Sequence, residues 1–245
     1  MNFISIIPAR YASTRFPGKP LADLAGKPVI QHVYERVSQV LDKVYVATDD
    51  ERIFNAVHTF GGKAIMTRAD HRSGTDRICE ALEYVKRDEK NGDSVVINVQ
   101  GDEPFIHPQQ IKTLCNLFDT QETDIATLAT HFNNDNDAKS PNSPKIVIDK
   151  RGFALYFSRS VIPFVRDSDE KFSYLKHIGI YAYRANVLQE IAQLPPSPLE
   201  KAENLEQLRW LENGYRIRVG MTSQATVGID TPADLEKARQ LLSAP

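Results

Sequence analysis

Residues 94–104 read Ser94-Val95-Val96-Ile97-Asn98-Val99-Gln100-Gly101-Asp102-Glu103-Pro104, and the reading of this stretch decides the fold. Its first six residues are nearly all apolar and do not alternate, which is the pattern of a strand buried on both faces of a parallel sheet. The run ends abruptly at Gln100-Gly101-Asp102. In open parallel sheets ligands bind outside the carboxyl ends of the strands. A turn at such an end that carries two carboxylates is therefore the first candidate for chemistry.

Working back from it, residues 73–86 have helical period and lead through an Asn91-Gly92-Asp93 turn into this strand. Further upstream Phe3-Ile4-Ser5-Ile6-Ile7 predicts a first strand, and Val29, Ile30, Val33, Val37, Val40 and Leu41 fall on one helical face. Val44-Tyr45-Val46-Ala47 predicts a second strand ending in Thr48-Asp49-Asp50, where an Asp can cap a helix carrying Ile53, Phe54 and Val57 before Gly61-Gly62 stops it. Strand and helix alternate, so the sheet is parallel and covered on both faces. Residues 8–20 and 100–104 each follow a strand and should meet in one crevice.

Beyond residue 125 the pattern changes. Strand-like runs at 125–130, 145–149, 153–157 and 177–183 have fewer helices between them, which predicts a mixed-sheet lobe. Residues 133–144, rich in Asn, Asp, Ser and Pro, read as an exposed loop. Helical period returns at 203–213 and again from Asp230-Thr231-Pro232, where Thr231 suits an N-cap and Pro232 the first helical position. No internal repeat interrupts this order.

At 245 residues the chain suits one domain, with a half of about residues 1–125 and a part of about 126–245. Hydrophobic content of 41% and charged content of 25% are those of a globular protein. With 30 basic and 32 acidic residues the formal charge is -2, so no global field favours nucleic acid or an anionic membrane, and a small-molecule substrate fits better. Cys79 and Cys115 lack disulfide or zinc spacing and read as reduced core thiols. The opening residues MNFISIIPAR show no basic leader, and no apolar run approaches the ~20 residues needed to span a bilayer, which gives a cytoplasmic expectation.

The loop from Pro8 to Pro20 places Arg10, Arg15 and Lys19 within ten residues at a strand's carboxyl end. Forked Arg donors, a Lys point charge and a Gly18 backbone that an anion can approach suit a polyphosphate. Gly18-Lys19 is not a Walker loop, because the upstream glycine and following Ser or Thr are missing. Asp102 is a better magnesium ligand than Glu103 because it lies nearer the strand end, and Asp230 is a possible second, although an Asp before Thr-Pro is ordinarily part of a helix start. The six histidines show no metal spacing and no nucleophile motif accompanies them, so covalent acyl chemistry has no support.

Seven blocks then carry a resemblance: IIPARYASTRFPGKPL at 6–21, MTRADHRSGTDR at 66–77, NVQGDEPFI at 98–106, ALYFSRSVIPF at 154–164, HIGIYAYR at 177–184, PSPLEKAENLEQLR at 196–209 and GIDTPADLEKAR at 228–239. In this order, over nearly the whole chain, they resemble the 3-deoxy-manno-octulosonate (Kdo) cytidylyltransferases. The resemblance implies an α/β nucleotidyltransferase, Rossmann-like fold, a mostly parallel mixed sheet flanked by helices, with a smaller mixed-sheet dimerisation lobe. It implies Mg²⁺-dependent transfer of CMP from CTP to Kdo, for lipopolysaccharide synthesis, by a homodimer joined through roughly residues 150–185.

Carried onto this chain, the resemblance makes Ala9, Arg10, Arg15, Lys19, Arg68, Ser73, Gly74, Gln100 and Asp102 nucleotide-binding residues, with Asp102 and Asp230 as magnesium ligands. Arg10, Lys19, Asp102 and Asp230 would be catalytic. Gln100, Arg159, His177, Tyr181, Glu206 and Gln207 would surround the sugar, Arg159 facing its carboxylate. Two stretches depart from the family pattern, Ser140 to Lys145 and Gln224-Ala225-Thr226-Val227, and neither is expected to touch a proposed ligand. Rival readings are a transferase for sialic acid or an amino-substituted Kdo, and a non-catalytic nucleotide sensor. The second-half blocks disfavour sialic acid, and a sensor has no reason to keep both aspartates beside Arg159, His177 and Glu206.

Overall fold

A computed structural model describes residues 1–87, 94–167, 172–224 and 227–243. Its strands are β1 (Asn2–Ala9), β2 (Asp23–Leu24), β3 (Lys27–Pro28), β4 (Val44–Thr48), β5 (Ala64–Met66), β6 (Ser94–Asn98), β7 (Ile125–His131), β8 (Lys145–Ile148), β9 (Ala154–Ser158), β10 (Leu175–Arg184) and β11 (Ile217–Met221). The helices are α1 (Val29–Ser38), α2 (Glu51–Thr59), α3 (Gly74–Arg87), α4 (Pro108–Asn116), α5 (Asp135–Ala138), α6 (Ala185–Ile191), α7 (Pro198–Glu203), α8 (Gln207–Glu212) and α9 (Pro232–Ser243). Two compact units emerge, one of Met1–Lys112, Arg184–Ala192 and Thr226–Pro245, the other of Thr113–Tyr183 and Gln193–Ala225. The expected Asn91-Gly92-Asp93 turn and part of 224–227 lie outside the described residues.

In the first unit β1 pairs in parallel with β6 on one side and β4 on the other, and β5 continues from β4 in parallel. Every residue of β6 is buried, as its unbroken apolar run requires. Helix α1 buries Val29, Ile30, Val33 and Val37, a 3.6-residue stripe. Val40 and Leu41 fall after its end at Ser38, where Gln39 caps it, so the helix is shorter than the apolar pattern suggested. Asp50 caps α2, its side chain accepting from the Arg52 N–H at 2.9 Å. At the other end of the chain the Asp234 N–H donates to Thr231 Oγ1 at 3.2 Å and the Thr231 N–H to Asp234 Oδ2 at 3.0 Å, a reciprocal start to α9.

That helix is held by a small core in which Ile229, Leu235 and Ala238 pack with Leu24 and Val29, with Phe16 and Phe105 against them. The packing has a positional consequence. With Ile229 buried, its N–H donates to Asp102 O at 2.8 Å, so the residue after it, Asp230, lies beside the β6 turn.

The second unit is the expected mixed sheet: β7 pairs in parallel with β11 and antiparallel with β10, β10 pairs with β8, and β8 with β9. Two local expectations are corrected. The stretch 133–144 is not all loop, because Asn134 accepts from the Asp137 N–H at 2.9 Å and nucleates the one-turn helix α5. The helix expected over 203–213 is broken: Asn204 turns left-handed at φ 50° and ends α7, and α8 starts only at Gln207. Helix α7 itself begins behind a capping box of Ser197 and Glu200.

Arg209 fastens the break. Its guanidinium donates through Nε and Nη2 to the two Glu200 oxygens at 2.8 and 2.5 Å and through Nη1 to Leu194 O at 3.0 Å. With side chains only 10% and 14% exposed, the pair is one of those in which removing one partner strands the other. Arg209→Leu is expected to lower unfolding free energy by about 3–5 kcal/mol, read from urea midpoints at constant m-value. A loss below about 1 kcal/mol would show that Glu200 finds solvent instead.

Candidate functional site

The loop after β1 is shaped by one aromatic ring. Arg52, held by Asp50 through hydrogen bonds of 2.7 and 2.9 Å, lies over the Tyr11 ring at 3.3 Å from its centroid. On the same ring sits Gly18, at φ 75°, whose N–H returns to Tyr11 O at 2.9 Å. A Cβ at Gly18 would fall 2.9 Å from Tyr11 Cζ, so this position needs glycine for both space and backbone sign. Lys19, Pro20 and Leu21 then form a 3₁₀ turn.

Pro8 to Pro20 meets residues 100–102 in a cavity of about 270 Å³, as the strand order requires. Gly101 permits the approach: a Cβ there would lie 2.9 Å from Pro8 O. Of the sequence-derived residues, Ala9, Arg10, Arg15, Lys19, Ser73, Gly74, Gln100, Asp102 and Asp230 all line this cavity. Gln100 donates through Nε2 to Asn98 Oδ1 at 2.9 Å, which fixes its amide against β6. Arg68 is not among the lining residues. Its side chain is 70% exposed and faces Asp70 and Glu80 at 3.6 and 3.7 Å.

At the floor Lys19 Nζ donates to Asp102 Oδ2 and, at 3.2 Å, to Asp230 Oδ1, while Arg15 Nη2 approaches Asp230 Oδ1 at 3.1 Å. Two carboxylates thus converge on one ammonium. Among the described residues no group of three or more His, Cys, Asp or Glu is placed to hold a metal ion. Two carboxylates alone suit Mg²⁺, which completes its shell with phosphate oxygens and water.

The cavity also collects side chains that the sequence reading did not single out: Ser13, Thr14, His71, Arg72 and Arg77. Arg77 is buried on the inner face of α3, donating to Asp49 Oδ2 at 2.9 Å and Thr67 Oγ1 at 2.6 Å. An arginine within the apolar stripe of Ile78, Ala81, Leu82 and Val85 was the available signal. His71 is hydrogen-bonded through Nε2 to Glu80. Burial pushes the Glu80 carboxyl up, but the bonds from His71 and from the Arg68 N–H more than offset it, leaving it below the ordinary range. Burial also pushes Cys79 and Cys115 up to about 11, so both behave as inert thiols.

The other proposed residues belong to the second unit. His177, Tyr181 and Gln207 are buried, and Glu206 is half-buried with Oε1 3.8 Å from Arg209. Tyr181 packs edge-on to Trp210, the sole tryptophan, with centroids 5.1 Å apart. Among the described residues Tyr181 Oη, Gln207 Nε2 and Trp210 Nε1 are buried without a hydrogen-bond partner. Such atoms are costly in a folded protein, and three on neighbouring side chains are donors and acceptors that a polar ligand or water would satisfy. Trp210 escaped the sequence reading; its signal was its position three residues after Gln207 on one helix.

Arg159 is held more tightly than expected. Three of its five N–H donors go to backbone oxygens: Glu203 O at 2.7 Å, Pro141 O at 2.8 Å and Asn204 O at 3.2 Å. Lys145, buried with its pKa lowered by desolvation, donates to Ser140 O at 2.9 Å and to Arg159 O. The unusual stretch 140–145 therefore touches a proposed ligand, contrary to the expectation that it would touch none.

Over residues 4–217 the chain matches a protein family described as Cytidylyltransferase. It is 60% identical over 252 residues to the 3-deoxy-manno-octulosonate cytidylyltransferase of Parabacteroides distasonis, covering 99% of both chains. It is 57% identical to the protein of that name from Phocaeicola vulgatus, covering 99% of this chain and 98% of that one. A solved structure of CMP:2-keto-3-deoxy-manno-octonic acid synthetase complexed with CTP is similar at TM-score 0.92 and 50% identity, with 99% of both chains covered.

His177 gives this site a pH signature. Its Nε2 contacts Thr127 Oγ1 at 3.0 Å, its ring stands edge-on to Phe157 at 5.0 Å, and burial lowers its pKa to about 3. The unfolded chain, with an ordinary histidine value near ~6.5, binds the proton more readily. Stability associated with neutral His177 is thus present above that value and is lost as pH falls from about 6.5 toward 3. In urea unfolding at stepped pH, His177→Gln is expected to flatten the loss over this window by up to about 1.4 kcal/mol per pH unit. Parallel wild-type and variant curves would show that the folded ring takes up its proton normally.

Proposed function

Because this chain belongs to the 3-deoxy-manno-octulosonate cytidylyltransferase family, we propose that it is the enzyme that transfers CMP from CTP to Kdo and releases pyrophosphate. The observation that carries the reading is the convergence of a basic loop and two aspartates in one cavity at the carboxyl ends of β1 and β6. Polyphosphate needs the cations, and a magnesium ion needs the carboxylates.

The reaction is a single in-line displacement. The anomeric hydroxyl oxygen of Kdo forms a bond to the α-phosphorus, the bond from that phosphorus to the pyrophosphate oxygen breaks, and the hydroxyl proton is released. No covalent enzyme intermediate is required. The reactants are both anionic, so positioning and charge neutralisation account for most of the rate. Arg10, Arg15 and Lys19 hold the triphosphate, and Ser73 and Gly74 border the cytidine with Arg68 outside the cavity. Asp102 and Asp230 would hold Mg²⁺, which would supply charge neutralisation at the phosphates and a lowered pKa for the attacking hydroxyl.

The second unit supplies the sugar contacts. The unpartnered Tyr181 Oη and Gln207 Nε2 can meet hydroxyls, and neutral His177 lines up beside Tyr181 with ring centroids 5.4 Å apart. Arg159, anchored by three backbone oxygens, keeps two N–H donors for the sugar carboxylate. Glu206 completes the set in this unit, and Gln100 is the sugar contact proposed for the first unit. The proposal also includes a homodimer through roughly residues 150–185, supported by the exposed Leu155, Phe164 and Phe172. A cytoplasmic supply of activated Kdo for lipopolysaccharide is the corresponding role; among the described residues no helix is long and apolar enough to cross a membrane.

Pyrophosphate release is expected to need CTP, Kdo and Mg²⁺ together, with UTP or sialic acid giving little. Release with another acid sugar and silence with Kdo would overturn the sugar assignment. Asp102→Ala is expected to fold normally and lose turnover by several orders of magnitude, and near-normal turnover at saturating Mg²⁺ would refute the metal assignment. Gln207→Leu is expected to raise KM for Kdo about tenfold while leaving KM for CTP unchanged.

A further inference from the structure

We infer that Lys19 is a place-holding cation: without nucleotide its ammonium occupies the position between Asp102 and Asp230 and bars a metal from them, so that metal is admitted only as the triphosphate draws Lys19 away. The inference rests on the reading of these aspartates as metal ligands and adds an order of events to it.

The argument begins with charge. Asp102 and Asp230 are brought together by the backbone, through the Ile229 N–H on Asp102 O at 2.8 Å, and not by mutual attraction. Two like charges so placed repel, and a cation is needed between them. The ammonium of Lys19 supplies it, touching both carboxylates, and only 14% of this side chain is exposed. Arg15 adds a second, outer contact to Asp230 at 3.1 Å, with its side chain 65% exposed. A divalent ion approaching the same oxygens must either displace the ammonium or sit beside it, and both are unfavourable.

A polyphosphate changes the balance. Lysine is a flexible point charge with three rotatable donors, and phosphate oxygens offer it a partner of greater charge than the carboxylates. Lys19 lines the same cavity as Arg10, Ser73 and Gly74, so rotation of its side chain can turn the ammonium from the carboxylates toward phosphates bound there. Once the ammonium turns to the phosphates, the carboxylates are left to the metal. Metal and nucleotide then strengthen one another's binding, and by linkage the coupling is the same in both directions. One consequence is that free divalent ions do not load the empty enzyme.

The test is the binding of Mn²⁺ alone, counted by electron paramagnetic resonance of the free ion, to the full-length wild type and to Lys19→Met. Lys19→Met is expected to bind Mn²⁺ at least tenfold more tightly than wild type without nucleotide. Adding a CTP analogue with a non-hydrolysable α,β bridge is expected to tighten Mn²⁺ binding strongly in wild type and much less in the variant. Lys19→Gln, which keeps a polar side chain of similar reach, carries the same comparison should Lys19→Met not fold. Equal Mn²⁺ affinity for wild type and variant in the absence of nucleotide would overturn the inference. Adding Asp102→Asn to the lysine variant separates the two ideas. The gain is expected to vanish, and a gain that survives would refute the metal site itself.

Discussion

The hydrogen bond from the Ile229 N–H to Asp102 O, 2.8 Å long, is the constraint on which the candidate metal site depends. It joins the turn after the most buried strand to the start of the last helix, and it persists because Ile229 is itself locked in the core formed with Leu24, Val29, Leu235 and Ala238. Hydrophobic packing therefore decides where Asp230 sits. Its carboxylate is delivered next to Asp102 at a cost in repulsion, and Lys19 from the first loop offsets that cost. Three segments distant in sequence are bound into one electrostatic unit by a backbone bond, the Lys19 ammonium and the Arg15 guanidinium.

The second unit shows the opposite use of polar groups. Where structure alone is at stake, buried charge is fully matched: Arg209 spends its guanidinium on Glu200 and Leu194 O, and Lys145 on Ser140 O and Arg159 O. Beside these, Tyr181 Oη, Gln207 Nε2 and Trp210 Nε1 are buried without partners among the described residues. At the proposed sugar site a ligand would supply the missing bonds, each worth roughly 0.5–1.5 kcal/mol net. The aromatic packing of Tyr181 on Trp210 and Tyr183 keeps those atoms from collapsing onto one another.

Much of the first unit was legible because its signals are local. The unbroken apolar run of β6 announces a doubly covered strand, and the spacing of Arg10, Arg15 and Lys19 places a cationic loop at the cavity without any knowledge of packing. Asp230 was ambiguous for a physical reason: an Asp before Thr-Pro starts helices everywhere, and only a non-local backbone bond distinguishes this one. The break at Asn204 was missed because an apolar period continues across it, while the left-handed residue that stops α7 is a backbone fact. Arg77 and Trp210 were missed because burial, not residue type, gives them meaning; both look like ordinary members of an amphipathic stripe. The reach of the 140–145 stretch to Arg159 has the same origin, since Pro141 acts through its carbonyl and any residue there would offer one.

A formal charge of -2 argues against a global field for polyanions, yet the cavity gathers Arg10, Arg15, Lys19, Arg72 and Arg77. Net charge is an average, whereas a cleft focuses what lines it. Within that cationic wall two carboxylates look misplaced, because each weakens the attraction for phosphate. They make sense only if the positive charge they hold can change hands. Before nucleotide binds it is an ammonium that belongs to the chain, and with nucleotide it can be an ion that arrives from solution. The anion site and the metal site are then one arrangement of charge in two states, and Lys19, sharing both, is the residue whose replacement disturbs them in opposite directions.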